Sequence, residues 1–240
     1  AERLGEILGL AQERAADPAR RSGDFEELSI SGVRFSYGAG DIIERADMTV
    51  KRGELAALTG VSGGGKTTLF RLILGAYAPQ EGGIVIRAGG AELSAGGAVG
   101  VFAYVPQGNC LFSGTIRENI AFALSADDER IMQAARTACA EGFIRELPHG
   151  LDTVIGENGL GLSEGQAQRI AVARAVYSGA DFLLLDEATS ALDGETESRL
   201  LKNIAALDGK TVLIVTHRPA ALEICSRKFT LKDGIINEQR

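Results

Sequence analysis

The sequence predicts an α/β fold with a mostly parallel sheet, an antiparallel β portion at its front and a helical insertion. Three observations predict it. Phe182-Leu-Leu-Leu185 and Thr211-Val-Leu-Ile-Val215 are unbroken apolar runs, the pattern of strands buried on both faces of a parallel sheet. A Gly-rich turn joins the strand-like Glu54-Leu-Ala-Ala-Leu-Thr59 to the helix-like Leu69-Phe-Arg-Leu-Ile-Leu74. Ahead of that turn the chain alternates as antiparallel strands do, and a helix-rich stretch from Thr115 to about Leu147 separates it from the two apolar runs.

In order along the chain, residues 1 to about 13 place Leu4, Ile7, Leu8 and Ala11 on one helical face, and residues 15–24, with Pro18 and Gly23, read as a linker. Leu28-Ser-Ile30, Val33-Arg-Phe35 and Met48-Thr-Val50 alternate as strands. Ile84-Val-Ile86 and Val99 to Val105 supply further strands. Ser125-Ala-Asp-Asp128 reads as a capping box opening a Glu129 to Ala140 helix, and Ser163-Glu-Gly-Gln166 as another opening a helix to about Ser178. Asp233-Gly234 marks a hairpin between Lys228 to Leu231 and Ile235-Ile236.

At 240 residues the chain is long enough for a substantial core. Its 32 acidic and 25 basic residues give a net charge of −7, which argues against a general nucleic-acid binder. Cys110, Cys139 and Cys225 lie far apart without a C-x-x-C pair and read as reduced thiols in a cytosolic setting. His149 and His217 are the two histidines, too few for a His-rich metal centre. No apolar run approaches the roughly 18 residues that span a bilayer. The charged start Ala1-Glu-Arg-Leu-Gly-Glu6 does not read as a signal peptide. Without an initiator Met, the chain is expected to be part of something longer.

The chemistry is concentrated in Gly60-Val-Ser-Gly-Gly-Gly-Lys66-Thr67-Thr68, a G-x-x-x-x-G-K-T phosphate loop (P-loop) in its strand-to-helix context. Gly60, Gly63, Gly64 and Gly65 let the backbone curl around phosphate oxygens together with Ser62 and Thr68. Lys66 reaches the β/γ-phosphates, and the Thr67 hydroxyl can ligate Mg²⁺. Read alone, the stretch could be a Gly-rich turn that binds nothing; its flanking elements argue otherwise. Asp186 and Glu187 end an apolar strand, where ligand crevices of α/β sheets lie. Asp186 belongs near the metal and Glu187 near an attacking water.

From Phe25 to Arg240 the chain resembles the nucleotide-binding domain of ATP-binding-cassette (ABC) transporters. The resemblance rests on separated motifs in the family's order. Leu162-Ser-Glu-Gly-Gln166 resembles the signature Leu-Ser-Gly-Gly-Gln, Gln107 matches the Q-loop, and Ser190-Ala-Leu-Asp193 matches the D-loop. His217, in Thr216-His217-Arg218, matches the switch histidine, and Tyr37 fits the A-loop aromatic. What this implies is a P-loop ATPase that takes ATP and Mg²⁺, with Tyr37 stacking on adenine and Thr67, Gln107 and Asp186 around the metal. Glu187, His217 and Lys66 would carry hydrolysis. Ser163, Gly165, Gln166 and Asp193 would meet the nucleotide of a second cassette in a head-to-tail homo- or heterodimer. Leu111-Phe-Ser-Gly-Thr-Ile-Arg-Glu-Asn-Ile120 and Thr153-Val-Ile-Gly-Glu-Asn-Gly159 resemble exporter-type segments.

The resemblance therefore implies the ATPase of an exporter, with a transmembrane domain as partner at the cytoplasmic face of the cell membrane and no nucleic-acid partner. Residues 1–24 would be a linker helix and linker from that membrane domain, and residues 25–240 the ATPase domain with a helical subdomain at about 109–178. Two departures stand out: Glu164 replaces a signature glycine, and Asn158 replaces an arginine of the X-loop. Three other readings compete. A soluble cassette acting on DNA or ribosomes would carry a coiled-coil insertion, tandem cassettes or a basic surface. A binding-only regulatory cassette fits poorly with Glu187 and His217 both present. An importer cassette fits poorly with the segment Leu111 to Ile120.

Overall fold

Ten strands form one sheet in a computed structural model that describes residues 25–38, 40–98, 100–108, 111–122, 124–156 and 161–239. In chain order these are β1 Phe25–Ser36, β2 Asp41–Lys51, β3 Leu55–Thr59, β4 Glu81–Ala88, β5 Ala91–Ser94 and β6 Phe102–Val105. After them come the two-residue strands β7 Gly114–Thr115 and β8 Val154–Ile155, which pair with each other. The large sheet is completed by β9 Phe182–Asp186, β10 Thr211–Val215, β11 Arg227–Lys232 and β12 Ile235–Gln239. Its spatial order is β5-β4-β1-β2-β12-β11-β3-β10-β9-β6. The helices are α1 Lys66–Ile73, α2 Ile116–Ala121, α3 Asp128–Thr137, α4 Glu141–Glu146, α5 Glu164–Tyr177, α6 Gly194–Ala205 and α7 Pro219–Ile224.

The predicted antiparallel front and parallel core are one hydrogen-bonded surface. β11, β3, β10, β9 and β6 run parallel, whereas β1, β2, β4 and β5 pair antiparallel. Every residue of β9 and β10 is buried, which requires cover on both faces. The period of two divides them between two cores. Leu183, Leu185, Val212 and Ile214 face a cluster built with α2, α3, α5 and α6. Phe182, Leu184, Leu213 and Val215 face one built with α1 and the antiparallel strands. Each fully buried Leu or Phe here contributes roughly 1.5–3 kcal/mol relative to exposure.

Several elements differ from expectation, each for a physical reason. The two alternating runs from Leu28 to Phe35 are one strand interrupted by a register shift, where Gly32 takes φ 57° and its N–H donates to Asp47 Oδ1 at 2.8 Å. The Gly-rich turn is shorter than it reads, since α1 starts at Lys66. The strand expected over Val99 to Val105 is confined, among the described residues, to Phe102–Val105. The stretch from Thr115 is three helices, broken by left-handed residues Phe122 (φ 50°) and Cys139 (φ 57°) that no glycine announces. The cap of α3 is Asp127, whose side chain accepts from Arg130 N–H, and Ser125 instead offers its carbonyl to the Tyr177 hydroxyl at 2.6 Å. A capping box at Thr115–Glu118 opens α2, and the expected one at Ser163–Gln166 opens α5. The hairpin turns through Asp233 and Gly234, both at positive φ, the backbone a two-residue type I′ turn requires. The linker helix, the linker and Glu157-Asn158-Gly159 lie outside the described residues.

Candidate functional site

Four of the predicted motifs are far apart in sequence, and the sheet order makes them neighbours. β3, β10, β9 and β6 lie side by side and parallel, so their C-terminal ends open on one edge. The phosphate loop follows β3, His217 follows β10, Asp186 and Glu187 close β9, and Gln107 follows β6. Such edges are where α/β sheets bind ligands.

The loop turns into α1 through Gly65 at φ 98°, a left-handed residue with no side chain to cap the helix, so the first N–H groups of α1 are left for an anion. A Cβ on Gly65 would meet Ile42 Cγ2 at 2.9 Å, in a backbone region already costly for other residues. Lys66 is buried, and its ammonium donates to the carbonyls of Gly60 (2.7 Å) and Val61 (2.9 Å). An ammonium has three donors, so one remains to aim at a phosphate oxygen.

Thr67 Oγ1 donates to Asp186 Oδ2 at 2.8 Å, and the Tyr104 hydroxyl donates to the same oxygen at 3.1 Å. Asp186 is buried, and these two bonds fix its carboxylate over the loop. Next to it, Glu187 stands at φ 52°, a conformation that costs of order 1–3 kcal/mol in a non-glycine residue and clusters at functional sites. Gln107 Nε2 donates to Glu187 Oε2 at 2.7 Å. A cavity of about 130 Å³ is lined by Ser62, Gly63, Gly65, Lys66, Thr67, Thr68, Gln107 and Glu187.

Tyr37 does not line this cavity and adjoins it through Thr68, which does. Its hydroxyl pairs with Thr68 Oγ1 at 3.3 Å while half its surface stays exposed, and it meets Phe35 and Tyr77 edge-on at 4.9 and 5.4 Å. The Thr68 hydrogen bond holds the phenol below its ordinary range, and Arg71 adds in the same direction. Exposed His217 shares a second cavity, of about 300 Å³, with Glu187, Ser190 and Thr216.

The remaining predicted residues sit elsewhere and line neither cavity. Ser163 is exposed, and its side chain accepts from Gln166 N–H at 3.2 Å while Gln166 Oε1 accepts from Ser163 N–H at 2.9 Å. Glu164 follows it, also exposed, in the first turn of α5. Gly165 runs against the D-loop: a Cβ there would meet the Ala191 carbonyl oxygen at 2.9 Å. Asp193 caps α6 by accepting from Thr196 N–H at 2.8 Å, a bond that depresses its carboxyl below the usual range.

The oxygens here are hard ligands, the hydroxyl of Thr67 and the carboxylate of Asp186 bonded to it, with Gln107, whose amide also carries an oxygen, lining the same cavity as Thr67. That set fits Mg²⁺, which takes one or two protein oxygens and completes its shell with phosphates and water. Among the described residues there is no cluster of three or more His, Cys, Asp or Glu that would hold a metal by itself.

Sequence reasoning missed three participants. Tyr104 was legible only as a polar-tipped aromatic in a short strand. Gln168 is a buried amide on an otherwise apolar face of α5, and it donates to Ser190 Oγ and accepts from Ala191 N–H, both at 3.0 Å. Glu197 is a fully buried carboxylate in α6 where the helical spacing with Leu200, Leu201 and Ile204 calls for an apolar residue.

Residues 43–190 match the family model described as ABC transporter. The chain is 40% identical over its whole length to an ATP-dependent lipid A-core flippase of Desulfotalea psychrophila, covering 43% of that protein. It is 37% identical over 99% of its length to a toxin RTX-III translocation ATP-binding protein of Actinobacillus pleuropneumoniae, covering 34% of that relative. A solved structure of a bacterial Atm1-family ABC exporter with ATP bound superposes with a TM-score of 0.84 at 31% identity, over 99% of this chain and 42% of that one. The chain thus spans less than half the length of these relatives.

Proposed function

The chain belongs to the ABC transporter family, and on that premise we propose that it is the ATP-binding and ATP-hydrolysing cassette that drives an exporter-type transporter. The observation that carries the reading is the meeting of Lys66, Thr67, Gln107 and Glu187 around one cavity at the ends of adjacent strands, with Asp186 bonded to Thr67. The ATP γ-phosphate lies against Lys66 and the N-terminus of α1, and the adenine lies on the exposed face of Tyr37. Thr67, Asp186 and Gln107 would hold Mg²⁺ together with the nucleotide, and the ion would supply charge neutralisation for the phosphates. Glu187 orients and deprotonates the water, and His217 senses the γ-phosphate from the neighbouring cavity. Catalysis of this kind is positioning and electrostatics.

Ser163, Gly165, Gln166 and Asp193 contribute to the nucleotide of a second cassette, homologous or identical, in a head-to-tail pair. Two observations favour this. The N-terminus of α5 is exposed, and neither cavity includes it. Residues 25–240 form the ATPase domain, residues about 109–178 its helical subdomain, and residues 1–24 the connection to a transmembrane partner at the cytoplasmic face of the membrane. An exposed apolar group on the helical side supports that partner: Phe112, Phe122, Leu124 and Val154, with Arg174 over both phenylalanine rings. Among the described residues no helix is long and apolar enough to cross a membrane.

The test is ATP hydrolysis by the purified chain with and without Mg²⁺, compared with Glu187→Gln. The expected result is Mg²⁺-dependent turnover that the substitution slows by about 10²-fold or more, with ATP binding kept and an ATP-dependent dimer accumulating in light scattering. Unimpaired turnover in Glu187→Gln would remove the glutamate from the mechanism.

A further inference from the structure

The D-loop, Ser190 to Asp193, is tied on both flanks. Gln168 of α5 holds Ser190 and Ala191 on one side. On the other, Arg218, the residue after His217, directs Nη1 to the carbonyls of Thr189 (3.0 Å) and Leu192. Arg218 Nε lies 3.4 Å from Oε2 of Glu197, and Glu197 Oε1 accepts from the Thr189 hydroxyl at 2.6 Å. Oε2 has no hydrogen bond among the described residues, so Arg218 is its charge partner.

This arrangement is expensive. Glu197 is fully buried on the stripe of α6 that also buries Leu200, Leu201 and Ile204. Burial pushes its carboxyl above the ordinary range, against the opposing pull of Thr189 and Arg218. Well-packed apolar residues in place of a buried ion pair are often as stable or more so, so stability alone does not account for a carboxylate here. What the pair does do is geometric. It joins the loop after β10, which carries His217, to the segment after β9, which carries Glu187 and Ser190, and Arg218 and Thr189 line the cavity those residues share.

We propose that Glu197 and Arg218 are positioning residues for hydrolysis: through Thr189 and the D-loop carbonyls they hold His217 and Glu187 facing the same space. Glu197 is fully buried and lines neither cavity, and Arg218, which lines the second one, acts through its bonds to Thr189 and Leu192. The inference rests on the ATPase reading above, because it assigns these residues to that reaction. Loss of the brace should let the His217 loop shift relative to Glu187 while leaving the phosphate loop intact. Displacements of about 1 Å at a reacting centre cost up to about a hundredfold in rate.

The test uses the whole chain and three measurements: thermal midpoint, ATP affinity, and kcat and KM for hydrolysis. The double variant Glu197→Leu with Arg218→Met replaces the pair by apolar side chains and leaves no unpaired buried charge. Arg218→Lys, which keeps the charge and loses the forked geometry, is the second variant should the first fail to fold. Both should show kcat lowered by about tenfold to a hundredfold, with KM and ATP affinity within about threefold of the parent. The double variant also leaves the Thr189 hydroxyl and the Thr189 and Leu192 carbonyls without these partners, so some fall in its thermal midpoint is expected and kcat is compared well below that midpoint. The split of a lowered kcat from an unchanged KM and ATP affinity separates positioning from a merely structural role. Parental kcat in a folded variant overturns the proposal, as does a fall in kcat that only follows weakened ATP binding. If the unmodified chain binds ATP and does not hydrolyse it, the ATPase reading itself fails and takes this proposal with it. Turnover in the parent with unchanged turnover in the variants removes the brace alone.

Discussion

The phosphate-loop edge and the N-terminus of α5 (Glu164–Tyr177) both present backbone N–H groups at the start of a helix, yet they are built differently. At the loop edge the side chains are already bonded within the site: Lys66 to the backbone carbonyls of Gly60 and Val61, Thr67 and Tyr104 to Asp186, Gln107 to Glu187. Little reorganisation is left for a ligand to drive there. At α5 the capping bonds are local, between Ser163 and Gln166, and the group faces outward. A pre-bonded crevice can hold a ligand by itself, whereas an outward-facing helix end becomes useful when another surface brings the ligand to it. The difference teaches which half of the proposed site is complete within one chain.

The largest expected effect breaks the comparison if it fails. Lys66→Ala should weaken ATP binding by about tenfold to a hundredfold, the value of one or more hydrogen bonds from a charged donor. Ser163→Ala should leave ATP affinity of the monomer within about twofold, because its cap bond is local and away from the cavity. Both should be inactive alone, and mixing them should restore a fraction of parental ATPase activity. Fluorescent-nucleotide binding and turnover of the mixture decide it: equal losses of monomer affinity would place Ser163 on its own chain's nucleotide.

A smaller effect asks what holds the outward-facing end in place. Gly165→Ala sets a methyl 2.9 Å from the Ala191 carbonyl oxygen, which is backbone and cannot swing aside. The expected cost is about 1–3 kcal/mol in denaturant unfolding, with monomer ATP affinity unchanged. A full-stability Gly165→Ala chain would mean that α5 and the D-loop are free to separate.

Smaller again is Thr115→Ala, which removes the capping box of α2 (Ile116–Ala121) and should cost about 1 kcal/mol. Hydrogen exchange should locate the loss in the helical part and leave β9 and β10 protected. Exchange that rises equally in the central strands would show the two regions open as one.

The smallest effect is one of pH. Arg136 foremost, with Arg145, holds the Glu141 carboxyl at about 2, below its ordinary 4.5. A depressed folded-state value stabilises the fold above about pH 4.5, and the gain is lost as pH falls toward 2. Glu141→Gln should therefore be slightly less stable than the parent at pH 7, and the gap should narrow below about pH 4.5 and close by about pH 2. A gap that widens with acid would contradict that sign.

Much of this comparison is written locally in the sequence, and some of it is not. The phosphate loop, the Ser163 cap and the apolar runs of β9 and β10 depend on short-range spacing, so they could be read directly. The breaks at Phe122 and Cys139 could not, because non-glycine residues enter the left-handed region only when packing forces them to. Ser125 and Asp127 are both good caps two positions apart, and the backbone of both is bonded to the Tyr177 hydroxyl, some fifty residues away, a contact that short-range spacing does not show. The contacts of Tyr104, Gln168 and Glu197 depend on which strands and helices become neighbours. That depends on the sheet order, in which β9 pairs with β6 although the whole helical region separates them in the chain, and β3 pairs with β10 although β4 to β9 come between.

The backing of the phosphate loop sets a timetable for synthesis. A Cβ on Gly60 would lie 2.3 Å from the Leu231 carbonyl oxygen, and Thr59 Oγ1 reaches the Phe229 carbonyl across a separation of 170 residues. The wall behind the loop is thus the hairpin strand β11, whose residues leave the ribosome long after those of the loop they support. At typical elongation rates of about 5–20 residues per second, the interval is roughly 10–30 s. For that time a nascent chain carries a complete phosphate-binding motif without the strand it leans on. Productive nucleotide capture therefore waits for β11, although the phosphate-binding motif is translated about 170 residues before that strand.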